Sequence, residues 1–263
     1  MMIIKIGGGK DINIKGIITD LAGLEQQFII VHGANALRDE LAEKLGMPRN
    51  TITSVSGYTS VFSDENAIDV MMMAYAGLKN KRIVELCQQH GINAIGLTGL
   101  DGRAVQGQRN KGIRVKEGGK VKIVRDYSGK PKNANTDLLF LLLSNGYTPV
   151  LTVPILDENN VAVNTENDDI VRILQEQMQF DIIIQLIEAP GFLDNPDDPN
   201  SLVDSISSAE LERREQQVTG RMKRKMLALR KLFDSGAAKV IISDGRVEHP
   251  VQNALTGKGT EIS

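Results

Sequence analysis

The sequence has no tryptophan, four tyrosines, six phenylalanines, three histidines and one cysteine in 263 residues. Cys87 stands alone, which excludes an intrachain disulfide and a cysteine-built zinc site and suits a free thiol in a reducing cytoplasm. So few aromatics argue against a stacking platform for single-stranded nucleic acid. No stretch approaches the roughly 18 uninterrupted apolar residues of a membrane span. The longest runs, Leu138–Leu143 and Met71–Ala76, are core-sized. Glycines at positions 7–9 arrive before a signal-peptide apolar region could form. Charge of one sign is also lacking, the formal net being −2.

What is present is a regular alternation. Short β-branched runs at Ile3–Ile6, Phe28–Val31, Ala94–Leu97, Thr148–Val153, Ile182–Leu186 and Val240–Ser243 read as strands. Helical patterns lie between them at Ile14–Leu24, Leu37–Leu45, Asn66–Gln89, Asn135–Asn145, Asp169–Gln177 and Gly220–Phe233. Strands apolar on both faces and joined by helices predict an α/β fold whose mostly parallel sheet is covered on each side. Several strands run into Gly7-Gly8-Gly9, His32-Gly33, Thr98-Gly99 and Asp244-Gly245, and ligands of open sheets sit beyond such carboxyl ends. Lys111–Arg125 alternates apolar with basic residues around Gly118-Gly119, the pattern of a β-hairpin with Ile113 and Val115 packed and Arg114 and Lys116 projecting. Asp194–Ser208 reads as a loop.

Three groups could carry chemistry. Lys5 interrupts an apolar strand two residues before the glycines, where its ammonium could meet an anion held by backbone amides; a strand-end lysine reaching solvent explains it equally well. Gly220-Arg-Met-Lys-Arg-Lys225 places basic residues at a helix start, against the dipole, which makes sense for a bound polyphosphate or as a solvated basic face. Asn164 and Asp168 could contact substrate and pair with lysines, or simply cap a helix.

Together with Val31-His-Gly33, Gly77-Leu-Lys-Asn-Lys81, Asn93–Gly102, Tyr127-Ser-Gly129, Thr148–Thr152 and Asp244–Pro250, these stretches resemble the acetylglutamate-kinase branch of the amino-acid kinases. The resemblance is nearest to the kinases acting on aminoadipate or glutamate attached to an acidic amino-group carrier protein. It implies a three-layer αβα sandwich with an inserted basic hairpin at about 103–132, a substrate lobe over 1–180, a nucleotide lobe over 181–263 and a homodimer. It also implies ATP as phosphoryl donor, with Mg2+ riding on the nucleotide and no dedicated metal site.

By the same resemblance Lys5 and Lys225 neutralise the transferring phosphoryl group, and Asp168 holds the two lysines apart. Gly7, Gly8, Lys223 and Gly191 serve the nucleotide; Gly33, Ala34, Asn35 and Asn164 serve the substrate. No membrane or nucleic-acid partner is implied. A kinase of free acetylglutamate or another small carboxylate is the nearest alternative, and a non-catalytic nucleotide- or carrier-binding relative the one of another class.

Four departures bear on substrate. The glycine-rich turn reads Ala34-Asn35-Ala36, with side chains where backbone would face substrate. The arginine that clamps a substrate carboxylate aligns with Val61, leaving Arg38 as a candidate replacement. Asn167-Asp168-Asp169 and Leu186-Ile-Glu-Ala-Pro-Gly191 also differ from the family pattern. Charge gives an independent signal: from Arg103 to Lys132 ten basic residues oppose Glu117 and Asp126. A surface so one-sided in a chain of net −2 predicts an acidic protein partner docking on Arg114, Lys116, Lys120 and Lys122.

Overall fold

The computed structural model describes every residue except 48–49, 56–58, 118–119, 196–197, 199, 218–219 and 238, and leaves out the side chains of 59–60, 117, 217 and 220–225. The chain opens with β1 (Met2–Ile6), α1 (Ile14–Ala22), β2 (Phe28–His32) and α2 (Asn35–Lys44). Short strands β3 (Thr51–Thr53) and β4 (Thr59–Val61) precede α3 (Glu65–Met71), a π-helical segment (Met72–Lys79) and α4 (Asn80–Gln89). Then come β5 (Ala94–Thr98), β6 (Val105–Arg109), β7 (Ile113–Glu117), β8 (Lys120–Val124), β9 (Gly129–Ala134) and α5 (Thr136–Ser144). They are followed by β10 (Thr148–Thr152), β11 (Ile155–Leu156), β12 (Ala162–Val163) and α6 (Asn167–Met178). The remainder is β13 (Ile182–Ile187), β14 (Ser205–Ile206), α7 (Leu211–Gln217), α8 (Gly220–Asp234), β15 (Val240–Asp244), α9 (Pro250–Leu255) and β16 (Thr260–Ile262).

Eight strands form one sheet in the order β14-β16-β15-β13-β1-β2-β10-β5. Its six central and β5-side strands pair parallel, while β16 pairs antiparallel to β15 and parallel to β14. The period-2 alternation of each strand divides the core. Ile3, Ile29, Val31 and Leu151 face α5, α6 and α8 through Leu139, Ile170 and Met226. Met2, Ile4, Ile30 and Val150 face α1, α4 and α9 through Ile17, Ile83 and Val251. The result is the expected αβα layering. The two halves are not separate sheets: β13, just past residue 180, pairs along the whole of β1.

Three expectations need correction. The basic stretch 103–132 is not one inserted hairpin. Only β7 and β8 form it, with Ile113 opposite Val124 and Glu117 opposite Lys120. β6 and β9 pair with each other, and β6 joins β11 and β12 in a second, four-stranded sheet. Ile113 and Val115 lie inward while Arg114 and Lys116 are exposed, as the alternation predicts; the Gly118-Gly119 turn lies outside the described residues. The helix expected over Asn66–Gln89 is interrupted by the π segment, which ends the α3 ladder and lets the chain bury Met71 and Tyr75 in one core layer and Ile83 and Cys87 in the other. The loop expected over Asp194–Ser208 carries the short edge strand β14.

Candidate active site

Parity along β1 decides where Lys5 goes. Ile3 faces the α6 layer, so Lys5 faces it too, and its Nζ lies 3.0 Å from Asp168 Oδ1 with the lysine side chain 14 % exposed. Asp168 sits in the first turn of α6, where the helix dipole favours a carboxylate. The pair explains how a lysine is tolerated in a central strand: it is partnered, and it stands where the strand ends. Asp169 leaves the same turn in another direction, to Lys130 on β9 at 2.5 Å.

Past Lys5 the chain crosses Gly7, Gly8 and Gly9. A Cβ on Gly8 would lie 2.6 Å from the amide nitrogen of Asn35 and 2.8 Å from that of Ala34, and one on Gly33 would lie 2.9 Å from Gly8 N. The turns after β1 and β2 therefore touch backbone to backbone, fixed by Ala36 N–H donating to Gly8 O at 2.9 Å. The amides of Gly8, Gly9 and Lys10 donate to no protein group among the described residues, which leaves a row of donors suited to an anion. The anion at that turn in this structure is Glu188. Its carboxylate accepts the Asp11 N–H at 2.7 Å and sits where a Gly9 side chain would begin. Glu188 was legible only as a departure from a family pattern; nothing local shows that it folds onto β1's turn.

On the β2 side, Asn35 opens α2 and is exposed, whereas Ala34 is buried in the core. The expectation that the Ala34 side chain faces substrate is thus corrected: the methyl turns inward, and its backbone alone borders the cleft. Asn164 is half-buried, with its Nδ2 donating to Ser63 Oγ at 3.0 Å. Its backbone is stitched to the base of the basic hairpin, accepting from Gly129 N at 2.9 Å and donating to Tyr127 O at 2.7 Å. Buried Asp126 completes that junction by accepting from Ser63 N at 3.1 Å and from Ser128 Oγ at 2.5 Å. Arg109 covers the Tyr127 ring at 4.0 Å. The structure thereby brings the hairpin's root to Asn164, a link that spacing alone does not show.

Val61 and Arg38 line one cavity of about 210 Å³, together with Phe62, Ser63, Met71 and others. Arg38 supplies its positive charge, and both its Nε and Nη2 donate to Asp39 Oδ1 at 2.8–2.9 Å. Gly191 is buried against Thr260 and Leu202, a packing position on the β13 side. The helix carrying Lys223 and Lys225 starts at Gly220 as expected, and α8 shares a core layer with α6; those two side chains lie outside the described residues. Thr165 Oγ1 and Asn167 Oδ1 are buried near the Lys5–Asp168 pair without hydrogen-bond partners among the described residues, as groups awaiting a polar ligand would be. His32 is no proton carrier. Burial pulls its pKa down to about 3, and Asn80 Nδ2 and Gly33 O occupy its two nitrogens. Among the described residues no group of three His, Cys, Asp or Glu could hold a metal, and no helix is long and apolar enough to cross a membrane.

A parallel sheet ending in open glycine amides beside a carboxylate-paired lysine is the build of a phosphotransferase. The particular lineage follows from comparison: residues 1–244 match the amino acid kinase family, and the chain belongs to it. It is 39 % identical over 268 residues to the LysW-aminoadipate kinase of Thermus thermophilus, covering 100 % of both chains. It is 37 % identical to the same-named kinase of Deinococcus radiodurans, covering 100 % of this chain and 91 % of that one. The acetylglutamate kinase of Methanopyrus kandleri is 29 % identical with 100 % of both chains covered. The fold matches that of a Giardia carbamate kinase with a TM-score of 0.68 at 14 % identity, over 99 % of this chain and 97 % of that one.

Proposed function

We propose that this kinase transfers the γ-phosphoryl group of ATP to the side-chain carboxylate of aminoadipate or glutamate carried on an acidic amino-group carrier protein, giving an acyl phosphate. One observation carries the reading. The basic hairpin β7–β8 is rooted, through Tyr127 and Gly129, on Asn164, four residues before the Asp168 that pairs with Lys5. A carrier bound to the hairpin would hold its tethered carboxylate near that pair.

The chemistry asks little else of the protein. A carboxylate acceptor has an unperturbed pKa near ~4 and is ionised at neutral pH, so no general base is needed. Lys5 and Lys225 would offset charge developing on the transferring group, while Asp168 keeps Lys5 oriented. The amides of Gly8 and Gly9 would hold phosphate oxygens, with Gly7 shaping the turn. Lys223 and the Gly191 loop would serve the nucleotide from the 181–263 half, with Mg2+ bound to its phosphates. Gly33 and Asn35 would border the acceptor, and Arg38 would receive its free carboxylate in the cavity that it lines with Val61. Homodimerisation belongs to the same reading, through the exposed Met73 and Leu78 beside edge strand β5.

A coupled assay of ADP release tests it. Turnover should rise steeply when an acidic carrier bearing aminoadipate or glutamate is added, and should be weak with free N-acetylglutamate. Equal rates on the free and tethered acids would replace the carrier reading with that of an acetylglutamate kinase.

A further inference from the structure

Tyr75 has no part in the chemistry above, yet it is placed as if it had. It lies in the π-helical segment Met72–Lys79, and such segments, with their wider i→i+5 turn, recur at functional sites. The side chain is 3 % exposed, and its hydroxyl donates to Asn35 Oδ1. Burial pushes the phenol up to about 12, with smaller influences from Arg38, the Ala34 backbone, Glu166 and Asp39, so it remains a proton donor at neutral pH. A buried phenol needs a partner, and here the partner is an exposed side chain at the mouth of the cleft.

The consequence falls on Asn35. As the first residue of α2, after an N-cap alanine that makes no side-chain bond, it would be free to turn its amide either way. In the arrangement found, the Tyr75 hydroxyl engages the carbonyl oxygen, which leaves the Nδ2 end over. Both Nδ2 hydrogens remain, and Nδ2 has no partner among the described residues. The backbone nitrogen of the same residue lies against Gly8, on the turn beyond Lys5. A neutral double donor is thus held beside the row of open amides.

We propose that Tyr75 is a positioning residue that locks the Asn35 amide with both Nδ2 hydrogens available to an oxygen of the acyl acceptor. The proposal rests on the functional reading above, and names the group that orients the acceptor there. The bound oxygen belongs either to the reacting carboxylate or to the carbonyl that joins the acceptor to its carrier.

The test is steady-state kinetics on the full chain with the carrier-borne acceptor, for Tyr75→Phe, Asn35→Ala and the double variant. Tyr75→Phe should raise the acceptor KM about tenfold, on the scale of one hydrogen bond to a charged group, with kcat and the ATP KM within about twofold of wild type. The double variant should be no worse than Asn35→Ala, because the phenol acts only through the amide. Asn35→Asp, which keeps an oxygen for Tyr75 but has no N–H to offer, should lose acceptor affinity while melting like wild type. Should Tyr75→Phe fail to fold, an Asn35→Asp variant that keeps the wild-type acceptor KM would overturn the proposal. Comparing tethered with free acceptor separates the two oxygens: a loss on both points to the carboxylate, a loss on the tethered one alone to the linking carbonyl. An unchanged acceptor KM in Tyr75→Phe, or full additivity in the double variant, would overturn the tyrosine's role while leaving the functional reading intact. A wild type inactive on every carboxylate would overturn both.

Discussion

Lys5 shows how far a single residue can be read. A lysine inside an apolar strand announces itself in the sequence, and the ion pair with Asp168 supplies the partner that burial demands. Replacing Lys5 or Lys225 by alanine should lower kcat by about 10²–10³, the scale of one electrostatic stabiliser, with nucleotide binding retained. A variant of either with near-normal turnover would remove that lysine from the mechanism. His32 makes a different kind of statement. Its folded pKa is about 3, well below the ordinary imidazole value of 6.5. The unfolded chain therefore takes up a proton below about 6.5 that the folded chain refuses, so the stability is fully present above that pH and declines as pH falls toward 3. Between pH 6.5 and 5, where ordinary carboxylates are still largely ionised, denaturant stability should approach a loss of roughly 1.4 kcal/mol per pH unit. His32→Gln should flatten that slope. An equal slope in the variant would place the proton elsewhere.

Elements were legible where their pattern is local. The hairpin β7–β8 follows from strict alternation around a two-residue turn, and each of the six strands named from the sequence is found in the central sheet. The elements that were missed depend on distant partners. α9 begins at a proline, and its first amides are satisfied by Asp20 of α1, which accepts from Val251 N at 2.9 Å and Gln252 N at 3.1 Å. Strands of two residues, such as β11 and β12, carry no periodicity to read. The π segment is hidden for a similar reason. Met71 to Ala76 reads as one core-sized run, and the fold does bury Met71, Ala74 and Tyr75, but it leaves Met73 out. The site divides the same way. Lys5, Asp168 and the glycines show in the chain, but the Tyr75–Asn35 and Asp11–Glu188 contacts appear only once the chain folds. The hairpin also carries more than charge. Val121 and Ile123 are 59 % and 64 % exposed, on the same face as Arg114 and Lys116. Charge reversal of Arg114 and Lys116 to glutamate should weaken carrier-dependent turnover steeply, and added salt should weaken wild type likewise, since steering is screened over about 8–10 Å. Turnover of a small free carboxylate should not change. Equal losses on both would make the hairpin a structural element.

At the scale of the molecule, apolar surface is exposed in more than one place, on the basic hairpin and on the helical stretch after α3. The basic stretch from Arg103 to Lys132 contrasts with a chain whose net charge is −2, and the exposed apolar side chains Met73 (42 %) and Leu78 (46 %) lie on the helical stretch packed behind edge strand β5. If that surface joins two copies, Met73→Glu with Leu78→Glu should turn a dimer into a monomer in light scattering at micromolar concentration, leaving the Lys5–Asp168 site intact. A wild-type monomer would rule the dimer out. The central claim is the acyl phosphate itself, and hydroxylamine captures it. Incubated with ATP, Mg2+, hydroxylamine and an acidic carrier bearing aminoadipate or glutamate, the enzyme should convert the tethered side-chain carboxylate to a hydroxamate, seen as a mass increase on the carrier that requires both ATP and Lys5. A carrier left unmodified by active enzyme, with hydroxamate forming instead on free N-acetylglutamate, would contradict the account.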